Sequence, residues 1–266
     1  MTDITEERLG FDTVPEIYHR VRPTYPEPLF DDLFAYVSTT SRSPAVVEIG
    51  PGTGKATKPL LERGASVTAV EIGPRLAAFL QDKLAAAFPD RLQVINASFE
   101  ACALPLATYD AVVSATAFHW VQADVRLQKS RDLLRPGGAL AIIGTNQIRS
   151  EIDRGFFARV FPIYKKYNPL DDPAEPPGAD VVPREYQEIV ESGLFEDVML
   201  HRYRWDQTYR TAAYADLVRS YSVTQVMEPA AREGLIAELS GVIDEEYGGS
   251  VTRPLVITLT LGRKPR

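Results

Sequence analysis

Residues 47–57 read V-E-I-G-P-G-T-G-K-A-T: a short apolar run, then Gly50, Gly52 and Gly54 at alternate positions, then a segment able to start a helix. Two kinds of nucleotide site begin almost this way. A phosphate-gripping P-loop, G-x-x-x-x-G-K-[ST], sets its lysine six residues after a glycine with a hydroxyl residue directly behind. Here Lys55 stands five after Gly50, and Ala56 follows. The dinucleotide fingerprint G-x-G-x-x-G is met by Gly50 and Gly52, but Gly54 arrives one position early. Taken alone, G-x-G-x-G also suits a plain strand-to-helix turn that uses glycine's tolerance of positive φ. The surrounding chain has to decide.

Outward from the loop, β-branched runs alternate with amphipathic stretches, the rhythm of βαβ units and a parallel sheet. Strands are expected at Ala45 to Ile49, Ser66 to Glu71, Leu92 to Ala97, Ala111 to Ser114 and Ala139 to Gly144. Leu76, Leu80, Leu84 and Phe88 recur at helical spacing, so that segment lays one face on the sheet. Pro136-Gly137-Gly138 is expected to turn the chain into the fifth strand. After Asn146 the rhythm breaks: a helix over Glu151 to Tyr167 runs into the proline-rich loop 168–183, of the length that lids and binding segments have. Strands at Val198 to Tyr209 and Leu255 to Leu261 follow, separated by helices near Thr211 to Val226 and Ala230 to Tyr247. A further helix is expected after Pro26, preceded by the aromatic and basic string from Tyr18 to Pro26.

A chain of 266 residues, 45% hydrophobic and 24% charged, can bury a core as one elaborated α/β domain or two small ones. Its one cysteine, Cys102, excludes an intrachain disulfide and a multi-cysteine metal site. His19, His119 and His201 are too dispersed to suggest a metal site. No run approaches the roughly 18 apolar residues of a membrane span, and the start lacks the pattern of a signal peptide. The expectation is a soluble, cytoplasmic protein. A net charge of −7 works against nucleic acid as partner and favours a small molecule.

In an open parallel sheet, ligands sit beyond the carboxyl ends of the strands at the point where strand order reverses. Gly50 to Gly54 belong there. About 20 residues on, Glu71 ends the second strand, where an acid can accept hydrogen bonds from ribose hydroxyls. The third strand ends in N96-A-S-F-E100, an aromatic that can pack on a purine among polar groups for its edge. The fourth runs Y109-D-A-V-V-S-A-T-A-F-H-W-V121.

With E-I-G-P-G-T-G, V-E-I, A-S-F-E, Y-D-A-V-V-S and L-L-R-P-G-G in this order, the chain resembles the class I S-adenosylmethionine-dependent methyltransferases. R-V-R-P-T-Y-P near the start, A-F-H-W-V, R-S-Y-S-V and T-R-P-L-V-I-T-L-T-L extend the resemblance to the small-molecule branch that includes trans-aconitate methyltransferase-like proteins. The resemblance implies a Rossmann-like, mostly parallel seven-stranded α/β sheet with helices on both faces. It also implies an N-terminal helical cover over 1–43, a methyltransferase domain over 44–266, and a lid or substrate insert at about 147–194 between strands 5 and 6. Because S-adenosyl-L-methionine carries no phosphate, glycines at these spacings serve close backbone approach instead.

The same resemblance assigns Glu48 to organising the loop and Gly50, Gly52 and Gly54 to lining the cofactor. Glu71 takes the ribose, Ile72 lies beside it, Ser98 and Phe99 flank the adenine, and Ser114 completes the set. Tyr18 and Arg22 are implied as a cover. The product is S-adenosyl-L-homocysteine, and no metal is required. His119 is the candidate general base, since imidazole titrates near neutral pH; a packing role beside Trp120 is the alternative. Trp120, Tyr164 and Tyr167 are candidate substrate contacts. Two other functions compete: a nicotinamide-dependent oxidoreductase, and a catalytically silent module that binds S-adenosylmethionine. The acceptor and the oligomeric state are not written in the sequence.

Overall fold

The structure, a computed structural model, describes residues 12, 14–37, 43–167 and 176–266. The strands are β1 (Ala45–Ile49), β2 (Ser66–Glu71), β3 (Leu92–Asn96), β4 (Tyr109–Ala115), β5 (Leu134–Gln147), β6 (Glu196–Arg210) and β7 (Ser250–Arg263). They form one seven-stranded sheet in the order β3-β2-β1-β4-β5-β7-β6, with helices on both faces. The pairs β1 with β2, β1 with β4, β2 with β3 and β4 with β5 are parallel. Strand order reverses between β1 and β4.

The helices are α1 (Pro15–Val21), α2 (Glu27–Val37), α3 (Thr57–Glu62), α4 (Pro74–Leu84), α5 (Ala123–Leu133), α6 (Phe156–Tyr167), α7 (Arg184–Ser192), α8 (Thr211–Arg219), α9 (Ser222–Gln225) and α10 (Pro229–Tyr247). Among the described residues, no helix is long and apolar enough to cross a membrane.

Central strands are covered on both faces and therefore read as unbroken apolar runs. Val46, Val47 and Ile49 of β1 are all buried, as are Ala111, Val112 and Val113 of β4. α4 sets Leu76, Leu80 and Leu84 four residues apart on one buried face, and packs on β2 and β3. The helix ends at Leu84, so Phe88 lies in the turn beyond it.

Two expectations are corrected. Pro136-Gly137-Gly138 is no turn into the strand but an irregularity within β5. Pairing jumps from Tyr109↔Leu134 to Ala111↔Ala139, three residues more on β5 than on β4. Gly137, at φ +78°, absorbs the surplus. The helix expected from Glu151 is interrupted: Glu151–Asp153 form a 3-10 turn, Arg154 and Gly155 take positive φ, and α6 starts only at Phe156. α1 was not expected at all.

The chain divides into two compact units. One comprises residues 24–145, 182–203 and 257–266 and holds β1 to β4 with the glycine loop. Its core includes Val47, Ile49, Val112, Phe118, Leu140, Ile189 and Phe195. The other comprises residues 1–23, 146–181 and 204–256, and its core includes Phe156, Val160, Tyr214, Leu217, Leu235 and Leu239. In the second unit Phe156 is fully buried, edge-on to Tyr214 and Tyr247 at 5.3 and 5.2 Å between centroids. α10 is capped at both ends, by the Glu228 carboxylate accepting from Ala231 N and by Gly248 in the left-handed conformation. Of the N-terminal helices, α1 belongs to the second unit and α2 to the first.

Candidate cofactor site

The loop after β1 leaves the sheet at the reversal of strand order, and its three glycines do three different things. Gly50 donates its N–H to Val70 O (2.9 Å) and takes φ +61°. A Cβ there would stand 2.5 Å from Ala117 Cβ, so the Gly50 backbone lies close against the Ala117 methyl in the loop after β4. Gly54 is buried, and a Cβ would meet Leu80 Cδ1 at 2.6 Å, so this glycine lets the loop lie against α4. Only Gly52 faces open space: at φ +56°, a Cβ would meet nothing within 4 Å. Of the three glycines, Gly52 alone has open space where a side chain would stand, whereas Gly50 and Gly54 lie against neighbouring side chains.

Glu71, at the end of β2 and buried, ties the loop down. Its Oε2 accepts from Gly52 N and its Oε1 from Gly73 N, each at 2.9 Å. Asn96 Nδ2 donates to the carbonyls of Glu71 (2.8 Å) and Ile72 (3.1 Å), fixing the turn that carries both residues. Gly73 and Asn96 were missed as site residues. Their signal lay in plain view, beside Glu71 and in the N96-A-S-F-E100 segment.

Glu48 is fully buried in β1, one residue ahead of the glycines, and neither carboxylate oxygen has a hydrogen-bond partner. Burial pushes its pKa up to about 7, the Thr57 hydroxyl pulls it down, and the charge of Glu71 pushes it further up. The Thr57 contact is too poorly aligned to count as a hydrogen bond, since Thr57 Oγ1 is itself without a partner, as is Thr53 Oγ1. A native interior rarely leaves three such groups unsatisfied around one loop. An unpartnered acid, two unpartnered hydroxyls and an open face at Gly52 fit a polar ligand with cationic and hydroxyl groups, which S-adenosylmethionine is.

Two further residues of the expected set are buried. Ser114 is wholly inside the sheet, where its hydroxyl donates to Ile49 O at 3.2 Å. Phe99 is only 2% exposed and packs in the core beneath Lys129 Nζ, 5.1 Å from its ring centroid. Strand-end spacing locates both residues but does not tell which side of the backbone a side chain takes. Ser98 is partly exposed and accepts from Ala101 N (3.2 Å), capping the turn that follows.

After β4, Thr116 holds φ +54°, a strained conformation for a β-branched residue, and leads into the 3-10 turn Phe118–Trp120. Phe118 is buried, His119 is exposed, and the rings of His119 and Trp120 lie 5.0 Å apart. Partial desolvation lowers the His119 pKa; Glu185 opposes this and Arg126 adds to it. Because the ring is exposed, only the direction matters: it favours the neutral imidazole. Arg126, buried and paired with Glu188 of α7, donates to Phe118 O (3.3 Å) and so positions the turn. Nothing in the sequence singled Arg126 out.

The remaining candidates lie in the other unit. Arg22 donates through Nε to Ser220 Oγ (2.9 Å) and through Nη2 to Ser220 O (2.8 Å). Its guanidinium also stands over the Tyr221 and Tyr18 rings, at 4.5 and 5.1 Å. Tyr164 lines a cavity of that unit, and Tyr167 donates to Glu238 Oε1 at 2.7 Å.

A glycine loop at the strand-order reversal, an acid closing the second strand and this sheet order define the class I, Rossmann-like methyltransferase fold. Residues 46–138 match the family described as a methyltransferase domain. An "uncharacterized methyltransferase" of Mycobacterium bovis is 34% identical over 137 residues, 51% of each chain. The chain thus spans about half the length of the curated relatives it matches. Among solved structures, a putative type II methyltransferase from Anaeromyxobacter dehalogenans aligns at TM-score 0.59 and 24% identity, over 92% of this chain and 97% of that one. Phosphoethanolamine N-methyltransferase 2 of Haemonchus contortus, in complex with phosphomonomethylethanolamine and S-adenosylhomocysteine, aligns at TM-score 0.56 and 14% identity, over 96% and 58%. These structural likenesses are of fold.

Removing the Glu71 carboxylate is expected to free the N–H groups of Gly52 and Gly73 together. Glu71→Ala should weaken S-adenosylhomocysteine binding by about 10- to 100-fold, the equivalent of one or two charge-assisted hydrogen bonds. Calorimetric titration of the variant beside the unsubstituted protein measures this; an unchanged Kd would remove Glu71 from the site.

Proposed function

We propose that this protein transfers the methyl group of S-adenosylmethionine to a small-molecule acceptor by in-line displacement. One observation carries the reading: Glu71 binds the N–H of Gly52, the loop residue with open space before it, at the reversal of strand order. When bound, S-adenosylmethionine supplies an already activated sulfonium methyl. The protein's tasks are then to hold the donor, to align the acceptor and to exclude water. Glu48, Gly52 and Glu71 hold the donor, with Ile72 and Ser98 beside it. A neutral His119 accepts the proton of an acceptor that must lose one, while Arg126 keeps its turn in place through the Phe118 carbonyl.

Incubation with methyl-labelled S-adenosylmethionine and a panel of small hydroxyl, amine, thiol and carboxylate compounds tests the proposal. Label recovered in one of them, with an equal amount of S-adenosylhomocysteine, is the expected result. Binding without transfer to any acceptor would identify a silent module, and preference for NAD would identify an oxidoreductase. For an acceptor that sheds a proton, His119→Gln should lower kcat by about 100-fold or more. It should also abolish an acidic limb of the pH–rate profile whose midpoint lies below the ordinary histidine value, since the base acts deprotonated and activity rises with pH through its pKa. A profile identical in variant and parent would reduce His119 to a packing residue.

A further inference from the structure

Described residues of the second unit, between 147 and 164, at 176–177 and between 214 and 253, line an open cavity of about 1100 Å³, slightly larger than most drug-sized ligand pockets. Phe157, Phe161, Met227 and Leu235 contribute to an apolar wall, and Arg253 of β7 stands among them. Nη1 of Arg253 donates to the Tyr221 hydroxyl (2.6 Å), while Nε and Nη2 share Gln147 Oε1 (3.2 and 2.6 Å). All these partners are neutral. Among the described residues no carboxylate pairs with Arg253; Glu151 and Asp153 line the same cavity without reaching it. The surrounding tyrosines do not neutralise it either, because burial raises the pKa of Tyr164, Tyr209 and Tyr214, the last two to about 12.

A guanidinium held in apolar surroundings without an anion is costly, and proteins rarely keep one without a use. A second observation points the same way. The Arg253 bonds fix Gln147 with its oxygen toward the guanidinium, and its amide nitrogen, Nε2, is buried with no hydrogen-bond partner. Arg253 and Gln147 Nε2 thus present a charged donor and a neutral donor side by side, a pair that one carboxylate satisfies. The apolar wall suits the rest of such a molecule, and the Arg253 guanidinium, without a carboxylate partner among the described residues, suits a single carboxylate.

We propose that this cavity is a binding site for an amphipathic carboxylate, with Arg253 and Gln147 taking the carboxylate and the Phe157–Phe161 wall taking the apolar body. The binding needs no cofactor and stands apart from the methyl-transfer reading.

The test is fluorescence or calorimetric titration of the full chain with naphthalene-2-carboxylate, its uncharged carboxamide, and succinate. Saturable binding of the naphthoate is expected, about tenfold or more tighter than the amide, as a charge-assisted bond implies, and likewise tighter than succinate. Arg253→Gln should erase the preference for acid over amide, whereas Phe161→Ala should weaken both aromatic ligands. Equal affinity for acid and amide, succinate as strong as naphthoate, no binding of the naphthoate, or a folded Arg253→Gln variant that keeps the preference would each overturn the proposal. Should Arg253→Gln not fold, the acid-to-amide ratio in the unsubstituted protein decides the matter.

Discussion

Gly50→Ala is expected to destabilise the protein by about 2–5 kcal/mol, and Gly52→Ala by only about 1–2 kcal/mol, although both residues are loop glycines of nearly equal φ. The shared part is conformational: a left-handed backbone costs an L-residue about 1–2 kcal/mol. The difference is steric. At position 50 the new methyl would lie 2.5 Å from Ala117 Cβ, which has no flexible end to move aside, so the loops after β1 and β4 must part. Overpacking of this kind costs about 1–3 kcal/mol more. At position 52 nothing is within 4 Å, so the methyl occupies the space from which a ligand approaches. The two variants should therefore differ in opposite senses. Gly50→Ala lowers the melting temperature most, and Gly52→Ala keeps most of the stability yet loses about tenfold or more in S-adenosylhomocysteine affinity. Thermal melts with and without ligand measure both effects. Equal melting temperatures for the two variants would contradict the loop contact.

The second large effect is a pH dependence of stability set by Glu48. Its folded pKa, up at about 7, lies above the 4.5 of an unperturbed glutamate. The folded state therefore keeps a proton that the unfolded chain gives up. The stabilisation is fully present below about pH 4.5, declines as pH rises, and is lost above about pH 7. Full loss corresponds to about 3 kcal/mol. Glu48→Gln has nothing to titrate, so its stability should be flat through this window, and at pH 8 it should melt roughly 5–10 °C above the parent. At pH 5 the advantage should vanish. Melting curves of both proteins between pH 5 and 8 test this. A parent and variant that change in parallel would mean that Glu48 has found a partner for its charge.

The two strands beside the glycine loop were read to the residue. β1 and β2 are short apolar runs closed by a glycine loop and an acid, and both were placed with their observed ends. β6 and β7 run further than expected because half-exposed positions alternate at the ends of β6, and apolar windows find only the centre. α1 escaped because it buries only Pro15 and Val21, too few for a periodicity. The meeting of Glu71 with the glycine loop was legible because chain order alone brings them to one sheet edge. The burial of Ser114 and Phe99 was not legible, because a strand end does not declare which face a side chain takes. Arg253 drew notice only within a longer motif; its meaning depends on Gln147 and Tyr221, 106 and 32 residues away in the chain.

Calorimetric titration of the purified protein with S-adenosylhomocysteine, set against NAD, tests the central claim most directly. The structure predicts saturable one-to-one binding of the adenosyl ligand and none of NAD, because the loop offers Gly52 and Glu71 to a ribose without the glycine spacing that a pyrophosphate needs. A folded sample that binds NAD, or binds neither ligand, would contradict it.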